Sequence, residues 1–172
     1  MKVSKTKFKD LLIISGETHK DKRGFLRELY FQKLIKKKFK FVLTSMSKKN
    51  VLRGLHYQTN KPQGKYVFVA KGKIFDVVVD IRKKSKTFGK SFSIILSNKN
   101  CKSIYIPAGF AHGFLTLGKE NIVCYYCTEY RSKKHEFCLN YNDPFLKINW
   151  PKKRPILSTK DKNASKFKDL FN

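Results

Sequence analysis

An all-β sandwich or small barrel is the fold class this sequence predicts, and three observations carry it. Short runs rich in β-branched and aromatic residues recur along most of the chain, and turn residues separate them at close intervals. Only two stretches suit even a short helix. Many short strands at this spacing pack as facing sheets or as a closed barrel.

Taken in order, residues 11–14 form the first strand. Asp21-Lys22-Arg23-Gly24 makes a turn that leads into a second run at 25–30, and 32–39 suits one short helix. From Phe41 onward strand follows strand. Runs at 66–70 and 74–81 are separated by Lys71-Gly72-Lys73, which predicts a hairpin. Further strands are expected at 92–96, 103–106, 113–117 and 122–130, with turns at Ser97-Asn98-Lys99-Asn100 and Pro107-Ala108-Gly109. The tail from residue 152 is polar, with a last short helix expected at 164–171.

The chain has 172 residues, 41% of them apolar, which suits one domain over 1–172 with a real core. Its net charge of +27 raises the question of nucleic acid. The lysines are spread almost evenly from Lys2 to Lys168, however, without an RNA-binding aromatic signature or zinc-finger spacing. A solvated cationic surface is expected, with attraction for a smaller polyanion such as a nucleotide diphosphate. No apolar run approaches the roughly 20 residues that span a bilayer. The start, Met1-Lys2-Val3-Ser4-Lys5, lacks an apolar signal core, so no membrane partner is expected. Four cysteines do not make a dense disulfide framework, and a reduced cytoplasmic location follows.

The chemistry concentrates in Val51-Leu52-Arg53-Gly54-Leu55-His56-Tyr57-Gln58, followed by Pro62-Gln63-Gly64-Lys65. A histidine between two cations on strand-like backbone suits a base acting beside an anion or a developing oxyanion. Cys124 and Cys127 are three apart in a strand, so they point to opposite faces and share no metal readily. The same alternation lets only one of Tyr125 and Tyr126 look inward. His112 follows the turn Pro107-Ala108-Gly109 in a spacing that resembles the second metal motif of cupins. The His-x-His pair of the first motif is missing, so no metal is expected. Asp76 and Asp80 share a strand face and suit buried pairing with cations. His19 and His135 lie among charged residues and read as surface groups.

Arg23-Gly24-Phe25 with Glu28, the segments 51–58 and 63–65, and Phe75-Asp76-Val77-Val78-Val79-Asp80-Ile81-Arg82 occur in a distinctive order. Thr87-Phe88-Gly89, residues 106–114, Asn142-Asp143-Pro144, Ile148-Asn149-Trp150-Pro151 and residues 157–161 continue it. Together they resemble the dTDP-4-dehydrorhamnose 3,5-epimerase family over about residues 20 to 162. The resemblance implies a cupin-type jelly roll with a few short peripheral helices, working without metal or other cofactor. A homodimer is implied, with N-terminal strands at its interface and a nucleotide-diphosphate 4-keto sugar as substrate. It matches His56 to the base, Asp161 to the carboxylate that orients it, Tyr125 to the acid on the far face, and Lys65 to the cation at the enolate oxygen. His112, Glu136 and Lys160 match sugar-site positions. Arg23, Glu28 and Arg53 match nucleotide or diphosphate contacts, some reaching the neighbouring subunit.

One departure stands out. Where the family usually carries Gln-Asp-Asn, this chain has Leu43-Thr44-Ser45. Leucine cannot replace the two-sided hydrogen bonding of glutamine. A GDP-linked 4-keto-heptose 3,5-epimerase and a C3-only epimerase therefore stand beside the dTDP-hexose reading.

Overall fold

The computed structural model describes residues 1–171. Strands β1 (Lys2–Lys5), β2 (Leu12–Ser15), β3 (His19–Asp21) and β4 (Gly24–Leu26) open the chain, and α1 (Gln32–Ile35) follows. Then come β5 (Phe41–Lys48), β6 (Leu52–Gln58), β7 (Lys65–Lys71), β8 (Lys73–Asp80), β9 (Ser91–Ser97), β10 (Lys102–Ile106), β11 (Phe110–Thr116) and β12 (Glu120–Cys127). A 3-10 turn at Lys133–His135, β13 (Glu136–Cys138), α2 (Thr159–Lys162) and α3 (Phe167–Phe171) close it. The strands form a six-stranded sheet, β1-β2-β10-β7-β12-β5, facing a five-stranded sheet, β13-β6-β11-β8-β9. β3 and β4 make a separate two-stranded ribbon.

Alternation divides the apolar residues into three layers. Val67, Val69, Ile74, Val78, Ile104, Phe110, Phe114, Val123 and Tyr125 fill the space between the sheets. Tyr66, Phe68 and Tyr105 pack on the outside of the six-stranded sheet, where Ile35 of α1 and the rings of Tyr30 and Phe39 cover them. Leu55, Tyr57, Val77, Val79 and Leu115 lie on the outer face of the five-stranded sheet.

That third layer also takes in apolar residues of the C-terminal segment, including the tail from 152 that reads as polar. Trp150, Leu157, Phe167, Leu170 and Phe171 pack on the outer face of the five-stranded sheet, and Val51 bridges to Ile156. Its apolar residues are spaced irregularly among lysines, so no helical or strand period announces them. α2 was not expected from the sequence, and α3 begins later than the expected 164.

The hairpin expected at Lys71-Gly72-Lys73 is also corrected. β7 and β8 are consecutive but belong to different sheets, so this turn is a crossing between layers. Gly72 has φ +88°, and a Cβ there would lie 2.3 Å from the Glu120 carbonyl oxygen. A glycine in a tight turn reads the same locally whether the strands pair or diverge. α1 stops at Ile35 because Lys36 takes a left-handed conformation, φ 49°. The run expected at 25–30 keeps strand geometry only to Leu26.

Candidate active site

Side chains from several strands around one end of the sandwich line a cavity of about 240 Å³. Phe41, Leu43 and Ser45 come from β5, Lys65 from β7, His112 and Phe114 from β11, and Tyr125 and Cys127 from β12. Arg53, His56 and Gln58 come from β6, and Arg131 and Glu136 close the rim.

Arg53 and His56 are three residues apart, and regular alternation would turn one of them away. A bulge resolves this. In the ladder with β11, His112 pairs with His56 while Phe114 pairs with Arg53, so β6 spends one more residue than its partner. Gly54 absorbs the irregularity at φ +121°. A Cβ on Gly54 would lie 2.5 Å from the Gly113 Cα, so the two strands close up glycine against glycine.

His56 Nε2 is 2.6 Å from Asp161 Oδ1. Asp161 is 3% exposed and rides in α2, whose N-cap Ser158 accepts a hydrogen bond from the Asp161 amide. Burial alone would raise the Asp161 pKa, but the hydrogen bond and charge of His56, with help from Ser158 and Cys138, bring it below the usual aspartate value. Cys138 Sγ donates to the same oxygen at 3.4 Å. His56, Cys138 and Asp161 thus offer three donor atoms within 4.8 Å of one another. The His56–Asp161 separation is that of a hydrogen bond, closer than two ligands of one ion approach.

A second histidine–aspartate pair lies deeper. His112 Nε2 meets Asp76 Oδ2 at 2.8 Å, and Asp76 is fully buried. The other carboxylate oxygen, Asp76 Oδ1, is buried without a hydrogen-bond partner. Asp80 pairs with Arg82 at 2.7 Å. Asp80 thus takes the expected pairing with a cation, whereas the partner of Asp76 is a histidine.

Burial of Lys65 pushes its ammonium below the ordinary lysine range, against the pull of Cys127, Glu136 and Asp76. Burial drives the Tyr125 phenol well above its ordinary value, and a hydrogen bond with Ser45 Oγ at 3.1 Å opposes it. Tyr125 points into the cavity, whereas Tyr126 packs with Tyr30 and Phe39 on the opposite face. Cys127 lines the cavity and Cys124 joins the outer layer, as alternation requires.

Glu136 is held at the rim by Arg131 at 2.7 Å, and Lys160 Nζ lies 3.6 Å from the same carboxylate. Burial works to raise the Glu136 pKa, but Arg131, Lys160 and His56 outweigh it and hold the group below the usual range. Arg53 donates to Ser47 Oγ and to the Met46 carbonyl.

The structure brings His56, Asp161, Lys65, Tyr125, His112, Arg53, Glu136 and Lys160 to one place. Arg23 and Glu28 lie elsewhere in the chain's own fold. Arg23 pairs with Asp21 on the exposed ribbon, and Glu28 lines a narrow crevice with Met1 and Arg27. Arg131 at the rim was missed, because it sits in the charged run Arg131-Ser132-Lys133-Lys134, which looks like any solvated loop. His135 is half-buried rather than free on the surface, and Ser132 holds its Nδ1 at 2.9 Å.

A jelly-roll cavity that holds cationic side chains, an aspartate-paired histidine and a buried tyrosine is built for acid–base chemistry on an anionic substrate, and the comparisons with known proteins make the class an isomerase of nucleotide sugars. The family model described as dTDP-4-dehydrorhamnose 3,5-epimerase matches residues 5–169. This chain belongs to that family. It is 43% identical to the dTDP-4-dehydrorhamnose 3,5-epimerase of Shigella flexneri, over 98% of this chain and 97% of the relative. It is 45% identical to that of Salmonella typhimurium, over 95% and 94%. The crystal structure of dTDP-6-deoxy-D-glucose-3,5-epimerase from Legionella pneumophila, in complex with dTDP-4-keto-L-rhamnose, superposes with a TM-score of 0.93. That pair shares 40% identity over 99% of this chain and 94% of the other.

Proposed function

We propose that this enzyme inverts C3 and C5 of a dTDP-linked 4-keto-6-deoxy hexose through an enolate. One observation carries the reading: His56 with Asp161, Lys65 and Tyr125 converge on a single cavity. The C4 ketone acidifies the neighbouring C–H bonds. His56 takes a proton from one face, and Asp161 fixes its ring and supports the imidazolium. Lys65 places positive charge at the developing enolate oxygen. Tyr125, kept protonated by burial, returns a proton to the opposite face. Arg53, His112, Glu136 and Lys160 hold the sugar and diphosphate. No step requires a metal or an organic cofactor.

The chain works as one domain in a homodimer. β5 is a sheet edge with Val42 and Met46 exposed, and the β3–β4 ribbon exposes Phe25 and Leu26. A second copy would cover such surfaces. Arg23 and Glu28, remote from their own cavity, are the residues a dimer would carry to its partner's. Four free cysteines suit a reducing cytoplasm. Among the described residues no helix is long and apolar enough to cross a membrane.

Leu43 and Ser45 on the cavity wall favour a second reading, a GDP-linked 4-keto heptose or inversion at C3 alone. The deciding experiment incubates dTDP- and GDP-linked 4-keto sugars with the enzyme in deuterated water. Deuterium at both C3 and C5 of the dTDP-hexose alone supports the main reading. Turnover of only the GDP-heptose, or labelling at C3 alone, replaces it.

A further inference from the structure

We propose that Ser45 is a positioning residue for the inverting step: its hydroxyl aims the Tyr125 hydroxyl at the bound sugar and donates a hydrogen bond to the phenolate left behind. This rests on the acid role given to Tyr125 above. Ser45 Oγ lies 3.1 Å from the Tyr125 hydroxyl, and both side chains line the cavity. Leu43, the residue directly opposite Tyr125 in the β5–β12 ladder, has no polar side-chain atom. Ser45 reaches across from the position two residues further along β5. The Phe114 and His112 ring centroids lie 6.4 and 6.3 Å away, and of the nearby charges Arg53 favours the phenolate while Asp76 opposes it.

The chemistry creates the need. When Tyr125 acts, its O–H bond breaks and a C–H bond forms at the enolate carbon, using the enolate electron pair. The negative charge passes to the tyrosine oxygen. A phenolate at this buried position is costly unless a donor meets it; Arg53 offsets part of the charge, and the serine O–H lies within hydrogen-bond reach of the oxygen. Ser45 is half-buried at the wall, so water can return the proton to Tyr125 before the next turnover. The serine stands in the stretch where the family usually carries Gln-Asp-Asn. A nucleotide contact would set KM. A phenolate contact would set how often the enolate is quenched on the far face.

The test follows a dTDP-linked 4-keto-6-deoxy hexose in deuterated water with wild type, Ser45→Ala, Ser45→Thr and Tyr125→Phe. Ser45→Ala should lower the rate of inversion by roughly tenfold to a hundredfold, the range for losing a hydrogen bond to a charged group. Exchange at the His56 face and KM should stay unchanged. Ser45→Thr, which keeps the hydroxyl, should restore most of the inversion. Inversion by Ser45→Ala at the wild-type rate, equal loss of exchange and inversion, a change in KM alone, or no rescue by threonine would each overturn the proposal. Normal inversion by Tyr125→Phe would instead overturn the acid assignment. Loss of inversion in Tyr125→Phe with a normal Ser45→Ala removes only the role of Ser45.

Discussion

His56 Nε2 and Asp161 Oδ1 meet at 2.6 Å although 105 positions separate the two residues in the chain. This contact joins a bulged strand to a short helix of the C-terminal segment. His56→Asn should lower turnover by about 10² to 10⁴ with the fold intact, because it removes proton transfer but little volume. Asp161→Asn should cost less, since it weakens orientation without deleting the base. Circular dichroism and solvent exchange at C3 check both. Unchanged exchange in His56→Asn removes it as the base, and an equal or larger loss in Asp161→Asn requires a more direct role for the carboxylate.

Lys65 should trade stability for activity. Its folded pKa is lowered by burial, so the unfolded chain binds more protons than the native state between that value and the ordinary lysine value. Stability from this group therefore rises with pH across that window, and below it the half-buried charge is a net cost. Lys65→Met should unfold at a higher denaturant concentration at pH 7, with the difference shrinking toward about pH 10.5. Its turnover should fall by about 10² to 10³, as for removal of an oxyanion donor. Wild-type turnover should decline on the alkaline side before ordinary lysines titrate. A less stable variant, or activity flat to that pH, contradicts the assignment.

Tyr125→Phe should go on exchanging deuterium into substrate while forming little inverted product, because His56 can still make the enolate. Tyr126→Phe should invert normally, since its ring belongs to the Tyr30–Phe39 layer. Mass spectrometry and product stereochemistry separate the two. The reverse pattern would move the acid to the other face of β12.

Exhaustive chelation should leave turnover unchanged, and elemental analysis should find no stoichiometric zinc, iron or nickel. One equivalent of metal lost together with activity would make His56, Cys138 and Asp161 ligands rather than a hydrogen-bonded relay.

Strand parity was legible from local sequence, which is why Tyr125 and Tyr126, and Cys124 and Cys127, separate as expected. What escaped depended on distant contacts. The bulge that lets Arg53 and His56 face the same way exists because Gly54 meets Gly113 across the ladder. Nothing within a few residues of Gly54 announces it. Lys71-Gly72-Lys73 has the composition of a hairpin, and only the pairing choices of β7 and β8 make it a crossing. The family motifs pointed to Asp161 without revealing how it reaches His56. That answer lies in scattered apolar residues of a lysine-rich tail, each unremarkable alone.

The C-terminal segment that carries Asp161 ties the proposed catalytic pair to a part of the chain outside both sheets. Both sheets are complete in chain order by Cys138, so the sandwich and most of its cavity can form before residue 161 is in place. A chain still emerging from the ribosome, or one nicked between β13 and α2 and stripped of its tail, would own a base with no carboxylate to aim it. Trp150, Leu157 and Phe167 hold this segment on the outer sheet, so the packing of a distant apolar layer and the aim of the histidine are coupled. Turnover would report whether this segment is seated on the sheet.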